Sequence, residues 1–333
     1  MRYTAATTRY DEMEYRRAGG SGLKLSAISL GLWHNFGQSA DDREALSMVE
    51  AAFDGGITHF DLANNYGPPP GSAEERFGKI LKEHLAPYRD ELIISTKAGY
   101  LMWSGPYGEW GSRKHLLASL DQSLKRLGVE YVDIFYHHRP DPDTPLEETM
   151  EALSHLVRQG KALYVGISNY KAKDAKRAIE LLAASKTPCI LNQVRYSILD
   201  RAIEADGLLD AMGNRSGTIC FSPLAQGLLS SKYLDGAIPR ESRATEDRFL
   251  KKEMITEEHV KMLNELNVIA RARNQTLSQM AITWLLRDER ITSVLIGSRS
   301  VDQLHENIDA LQFSTPFTDD ELKAIDGVVE RWR

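Results

Sequence analysis

Short apolar runs rich in β-branched and aromatic residues recur along the chain, separated by longer stretches whose apolar positions return every three or four residues. The first pattern suits buried strands and the second amphipathic helices. Their alternation predicts parallel β/α units. Strands are expected near 28–31, 58–61, 92–96, 132–137, 163–167, 190–193, 218–222 and 293–296, enough for a complete (β/α)8 TIM barrel. Among the helices, RKHLLASLDQSLKRLG sets Leu117, Leu120, Leu124 and Leu127 on one face and stops at Gly128. Residues 14–27 predict a hairpin turning at Gly19-Gly20-Ser21-Gly22, capping the bottom of the barrel. The stretch 229–256 is too polar and too long for an ordinary connection and is expected to be a mobile loop over a ligand. A last helical pattern, DDELKAIDGVVERW, runs nearly to Arg333, so extra C-terminal helices are expected and no long C-terminal loop would close the mouth. That predicts an open, unselective pocket.

Composition narrows the class of molecule. At 333 residues without an internal repeat or low-complexity linker, one barrel domain over 1–333 is the economical reading. The net charge of -6 argues against general affinity for nucleic acid or anionic membrane. Cys189 and Cys220 are the only cysteines, there is no Cys-x-x-Cys, and no spacing suits a metal site, so reduced buried thiols are expected. The N-terminal MRYTAATTRYDEMEYRR lacks the apolar core of a signal peptide, and no later run approaches the ~18 apolar residues of a membrane span. A cytoplasmic location is expected.

Three of the strand runs, ITHFD, ELIISTK and YVDIFYHH, lead into ionisable side chains: Asp61, Lys97 and His138. Tyr66 follows Asp61 in the next loop. In a parallel barrel the C-terminal rims of all strands face one mouth, so residues distant in sequence converge there. A free tyrosine has a pKa of about 10, and a neighbouring ammonium would lower it towards a usable general acid. Asp61 would keep a buried Lys97 charged and oriented. His138 would hydrogen-bond a substrate carbonyl while Tyr66 protonates the developing alkoxide. Nothing in this set supplies a hydride, so such a reduction requires a reduced nicotinamide at the same mouth. No G-x-G-x-x-G follows a strand, which argues against a Rossmann-type dinucleotide site. Asp61 and Lys97 could instead be an ordinary rim ion pair.

The segments GITHFDLANNYG, LIISTKAG, YVDIFYHHRP, YVGISNY, LNQVRYS, FSPLAQGLLSSKY and IGSRSVDQLHENI together resemble the aldo-keto reductase superfamily, over nearly the whole chain. Within it the sequence is most similar to the bacterial L-glyceraldehyde 3-phosphate reductase branch, and it also resembles the β subunits of voltage-gated potassium channels. The resemblance implies that Tyr66 is the proton donor, tuned by Asp61 and Lys97, with His138 completing a tetrad. Of the adjacent His137 and His138, strand alternation turns only one into the mouth, and the family position is that of His138.

The resemblance also implies an NADPH site. Gly31, Trp33 and Asp61 would contribute to it, and Ser168, Asn169 and Gln193 would bind the nicotinamide carboxamide. Phe221 would stack on the ring. Ser222, Leu224, Gln226 and Lys232 would follow the pyrophosphate path, and Pro223, Gly227 and Arg243 would also bind the cofactor. Gly297, Ser298 and Arg299 precede a helix starting near Val301, a suitable place for the adenosine 2′-phosphate, with Gln303, Glu306 and Asn307 around the adenine.

Trp33, Tyr66, Trp103, Trp110, His138 and Arg139 are expected to wall a substrate pocket. Arg113, Lys114 and Arg139 either attract a substrate phosphate or are salt-bridged on the rim. Two functions follow from the resemblance: an NADPH-dependent reductase of small aldehydes such as L-glyceraldehyde 3-phosphate or methylglyoxal, or a nucleotide-sensing subunit with little turnover. The channel subunits carry asparagine at the position of His138, so histidine there favours catalysis. Relatives in the branch form tetramers or larger rings; the sequence leaves the oligomeric state, a homo-oligomer included, open.

Overall fold

Ten strands and eleven α-helices are seen in the computed structural model, which describes residues 3–238, 250, 251, 253, 255–313 and 315–332. The antiparallel hairpin β1 (Tyr15–Arg17) and β2 (Lys24–Ser26) comes first. Its turn carries Gly19 at φ +55°, where a Cβ would sit 2.3 Å from the Arg215 carbonyl oxygen; only glycine allows that approach. Gly20 then donates its N–H to Arg215 O at 3.0 Å, just before a barrel strand begins. The hairpin therefore closes the N-terminal end of the barrel, as its sequence predicts.

The barrel strands are β3 (Ile28–Gly31), β4 (His59–Asp61), β5 (Ile93–Ala98), β6 (Val132–His137), β7 (Ala162–Ser168), β8 (Cys189–Arg195), β9 (Gly217–Phe221) and β10 (Ile291–Ile296). They pair in parallel in sequence order, and β10 returns to β3 to close the ring. All eight fall within two residues of the expected ranges.

Around the ring lie α1 (Asp42–Asp54), α2 (Ser72–Ile80), α3 (Arg113–Leu127), α4 (Leu146–Arg158), α5 (Ala172–Ala184), α6 (Ala202–Ala205), α7 (Leu208–Met212), α8 (Glu257–Ala272), α9 (Leu277–Leu286), α10 (Val301–Ile308) and the C-terminal α11 (Asp319–Arg331). The start and stop of α3 are local: the Ser112 side chain accepts from the His115 N–H, and Gly128 ends the helix at φ +67°. Its buried row is Leu116, Leu120, Leu124 and Leu127, whereas Leu117 is only partly buried. The expected face is thus corrected at its first member. Leu116 stands one turn before Leu120, and Leu117 is rotated about 100° from Leu116 onto the flank.

The two-residue period of the strands divides the core. One set, including Phe60, Ile94, Phe135 and Val165, packs with the helices. A smaller set fills the barrel, including Leu25, Ile93, Ile134, Tyr136, Ile219 and Leu295. The polar side chains of Ser29, His59, Ser95 and Ser293 are also fully buried and bonded to one another across β3, β4, β5 and β10. Among the described residues no helix is long and apolar enough to cross a membrane.

Candidate active site

Asp61 is the last residue of β4, Lys97 the next to last of β5, and His138 directly follows β6. Lys97 is completely buried. Its ammonium has three donors and three acceptors around it: Asp61 Oδ2 at 2.5 Å, the Leu62 carbonyl at 2.6 Å and the Tyr66 hydroxyl oxygen at 3.3 Å. The Tyr66 oxygen is thus an acceptor towards Lys97, which leaves its own proton to point elsewhere. Asp61 Oδ1 accepts from Ser95 Oγ at 2.7 Å and from Gln193 Nε2 at 3.0 Å. Both carboxylate oxygens are therefore occupied.

The electrostatics depart from the sequence expectation at one point. Burial pushes the Tyr66 phenol well above its ordinary pKa, and the nearby Asp61 and Tyr100 add to the effect. The expected lowering by Lys97 is overridden, because removing a phenolate from water costs more than the ammonium, already committed to Asp61, returns. The consequence is a tyrosine that keeps its proton. Desolvation lowers the Lys97 pKa while Asp61 opposes it, as expected. His138 is held well below its ordinary pKa by burial and by the charge of Lys97, so the ring is neutral. Its Nδ1 is buried without a hydrogen-bond partner among the described residues. Its ring meets Tyr66 edge-on at 5.9 Å between centroids and Tyr100 at 4.6 Å.

Tyr66 and His138 open onto a cavity of about 530 Å³ at the C-terminal rim. The same cavity runs past Trp33, Ser168, Asn169, Gln193 and Phe221 to Arg299, Gln303, Glu306 and Asn307. Asn169 and Ser222 adopt left-handed φ values of 62° and 55°, a conformation uncommon for side-chain-bearing residues and often found at ligand sites. Ser300 caps α10, accepting from Gln303 N at 3.3 Å, so this helix presents its N-terminus beside Arg299.

Residues 27–330 match the sequence model of the Aldo/keto reductase family. The chain belongs to this family. It is 55% identical over 331 residues to the L-glyceraldehyde 3-phosphate reductase of Escherichia coli O157:H7, covering 98% of this chain and 95% of that protein. The protein of the same name from Escherichia coli strain K12 gives the same identity and coverage. The chain is accordingly an oxidoreductase of the aldo/keto reductase family.

Within this reductase the cavity lining brings together nearly every residue expected around a nucleotide. Gly31, Asp61, Pro223, Leu224, Gln226, Gly227, Lys232 and Gly297 line it with those already named. Ser298 is buried just behind, its Oγ 3.4 Å from Asn307 Nδ2 and its carbonyl accepting from Asn35 Nδ2 at 2.7 Å. Arg243, with the rest of 239–249 and with 252 and 254 in the segment expected to cover a ligand, lies outside the described residues.

Three expected pocket residues do not line this cavity. Arg139 is tied to Glu109 at 2.6 Å and to the Gly99 carbonyl at 3.0 Å, and its guanidinium stacks on Trp110 at 3.7 Å and Tyr100 at 4.2 Å. Trp103 packs on His115. Arg113 donates its backbone N–H to Glu148, and Lys114 lies over the Tyr107 ring. His137 faces the helix layer, buried against Tyr170 Oη at 2.6 Å from its Nδ1. Sequence reasoning missed Asn35, Asn65, Tyr100, Arg195, Leu295 and Ile296 in the lining, and also Ser230, Ser231, Tyr233 and Ser278. The first six stand at or within four residues of a strand's C-terminal end, where the rim rule could have found them, whereas the last four lie well beyond β9 or on α9 and only the fold brings them in.

Proposed function

We propose that the chain reduces a small aldehyde with NADPH, with L-glyceraldehyde 3-phosphate as the first substrate to test and methylglyoxal as the second, and with Tyr66 as proton donor. The observation that carries this reading is the saturation of Lys97. Its three N–H groups are taken by Asp61, Leu62 and Tyr66, so the Tyr66 proton is free to be given to a bound oxygen. His138, neutral and at the same rim, would hydrogen-bond the substrate carbonyl oxygen and hold it near Tyr66. When bound, the reduced nicotinamide supplies a hydride to the carbonyl carbon.

The residues fit such a cofactor because one continuous cavity joins Tyr66 and His138 to a helix N-terminus flanked by Arg299. Trp33 and Phe221 would flank the nicotinamide, Ser168, Asn169 and Gln193 would bind its amide, and Arg299 with the α10 terminus would bind the 2′-phosphate. The names of the two Escherichia coli relatives support the phosphorylated aldehyde as substrate.

The test is loss of NADPH absorbance with L-glyceraldehyde 3-phosphate, DL-glyceraldehyde and methylglyoxal. Turnover by the wild type, strongest on the phosphorylated aldehyde, is the expected result. Tight NADPH binding with no turnover on any aldehyde would overturn the reading in favour of a nucleotide-sensing subunit.

A further inference from the structure

Beneath the Asp61–Lys97 pair one sector of the barrel interior, between β10, β3, β4 and β5, carries polar side chains where valine, isoleucine and leucine usually fill such barrels. His59, fully buried on β4, bridges two serines: its Nε2 lies 2.9 Å from Ser95 Oγ and its Nδ1 2.8 Å from Ser29 Oγ. Ser95 Oγ continues to Asp61 Oδ1 at 2.7 Å. Ser29 Oγ continues to Ser293 Oγ at 2.6 Å. A single line of hydrogen bonds therefore runs from β10 through the core to the carboxylate.

The direction of that line follows from counting protons. An ionised carboxylate only accepts, so Ser95 spends its proton on Asp61. The Ser95 oxygen can then only accept from the ring, which requires hydrogen on His59 Nε2. Burial brings the His59 pKa down to about 4, with Asp61 opposing the shift and Lys97 adding to it, so the ring is neutral. Nδ1 accordingly has a lone pair and accepts from Ser29, and Ser293 shares its one proton between the Ser29 oxygen at 2.6 Å and the Ser26 carbonyl at 2.8 Å. In the opposite sense Ser293 donates to the Ser26 carbonyl 2.8 Å away, Ser29 donates to Ser293 and Nδ1 carries the hydrogen; a neutral ring would then take the Ser95 proton on Nε2 and away from Asp61, against the Ser95–Asp61 contact of 2.7 Å. From Ser29 to the carboxylate, every donor in the neutral line thus points towards Asp61, an arrangement in which each bond polarises the next.

We propose that His59 is a positioning residue for the reduction: as the Nε2-protonated tautomer it holds the Ser95 hydroxyl on Asp61 Oδ1 and so fixes the Asp61–Lys97 pair behind Tyr66. The proposal rests on Tyr66 being the proton donor. A histidine that merely ties β3, β4 and β5 together would satisfy the same contacts, so the test must read more than stability. In His59→Leu the Ser95 hydroxyl has no donor and can turn from Asp61. The carboxylate then rotates on its remaining partners, Gln193 and Lys97, and the Lys97–Tyr66 contact at 3.3 Å shifts with it.

The first measurement is nitrogen NMR of the full wild-type chain near neutral pH, with the His59 signals assigned by their loss in His59→Gln. Hydrogen on Nε2 and a lone pair on Nδ1 are expected; hydrogen on Nδ1 overturns the proposal without any variant having to work. The second is aldehyde reduction with NADPH. His59→Leu and Ser95→Ala should each lower kcat about tenfold or more, the scale of small misplacements at a reacting centre. NADPH affinity, read by fluorescence titration, should stay unchanged in both. The double variant should be no slower than the worse single one, because both act through one oxygen. His59→Gln, whose amide N–H reaches the place of Nε2, should recover most of kcat. Additive losses, or a His59→Gln as slow as His59→Leu, overturn the proposal. If His59→Leu does not fold, Ser95→Ala, His59→Gln and the wild-type tautomer still decide. A wild-type chain that turns over no aldehyde overturns the parent reading and this proposal together, whereas a working wild type with additive losses overturns this proposal alone.

Discussion

The Lys97 ammonium and the Tyr66 hydroxyl stand 3.3 Å apart, with the tyrosine oxygen accepting. Since burial raises the phenol's pKa, this contact does not prepare a phenolate in advance. Under the role proposed for Tyr66, it would stabilise the negative charge that forms on the oxygen as its proton leaves. Removing the hydroxyl should therefore abolish proton donation while leaving Lys97 its two shorter partners, Asp61 and Leu62. Tyr66→Phe is expected to lower kcat by about 10²–10⁴ and to leave NADPH binding intact, the range typical of a lost general acid. Steady-state kinetics beside a fluorescence titration check both halves. A variant that keeps more than half the wild-type kcat would remove Tyr66 from the reaction.

The same burial makes the ion pair sensitive to loss of one partner. Asp61→Asn keeps the shape but leaves a fully buried ammonium without its countercharge. Such breakage costs about 3–5 kcal/mol. Urea denaturation should show a loss of that size, and adding Lys97→Met should restore part of it because the uncompensated charge is gone. A double variant less stable than Asp61→Asn would contradict this account.

How far the sequence carries the site depends on the kind of signal. Strands were legible because β-branched runs such as IIST in β5 and their terminal Asp61 or Lys97 are local patterns. The rim rule then placed four distant residues at one mouth. The fate of Arg139 was not legible: whether it meets a substrate or Glu109, Gly99, Trp110 and Tyr100 depends on the conformation of the β5–α3 loop. Leu116 replaced Leu117 for a smaller reason, since both satisfy part of a helical period and only packing chooses between them. The Tyr66 pKa went the other way because desolvation depends on everything around the phenol, which no spacing of charged residues reveals. His59 reads in sequence as one polar residue inside a strand. Its meaning required Ser29, Ser95 and Ser293 from three other strands.

The two cysteines should be chemically silent in the folded chain. Cys189 and Cys220 are buried, and burial pushes the Cys189 thiol up to about 12 and Cys220 well above its ordinary value. The thiolate is the reactive form, so at neutral pH neither offers an accessible nucleophile. Ellman's reagent should find no rapidly reacting thiol in the native protein and 2 after denaturation. A fast native thiol would show that β8 or β9 opens locally.

Acid should destabilise the fold earlier than its carboxylates alone would require. Burial lowers the pKa of His59 from 6.5 to about 4 and of His137 from 6.5 to about 3, and it lowers His115 and His138 as well. Below about 6.5 the unfolded chain takes up protons on these rings while the folded chain does not. The stability they contribute is therefore fully present above pH 6.5 and is lost as pH falls towards 4 and then 3. Within that window each ring removes about 1.4 kcal/mol per pH unit. Asp133 works the opposite way, because burial raises its pKa and its protonation favours the fold. Asp141, lowered to about 2, contributes its loss only at the acid end, from 3.8 downwards. Calorimetry should show Tm falling from just below pH 6.5, with His59→Gln making the decline shallower by one ring's share. A Tm that stays level from about pH 6.5 to about 4.5 would mean that these histidines are charged in the folded chain, and with His59 charged the Ser29–Ser293 half of the line would run towards the Ser26 carbonyl while Nε2 still donates to Ser95.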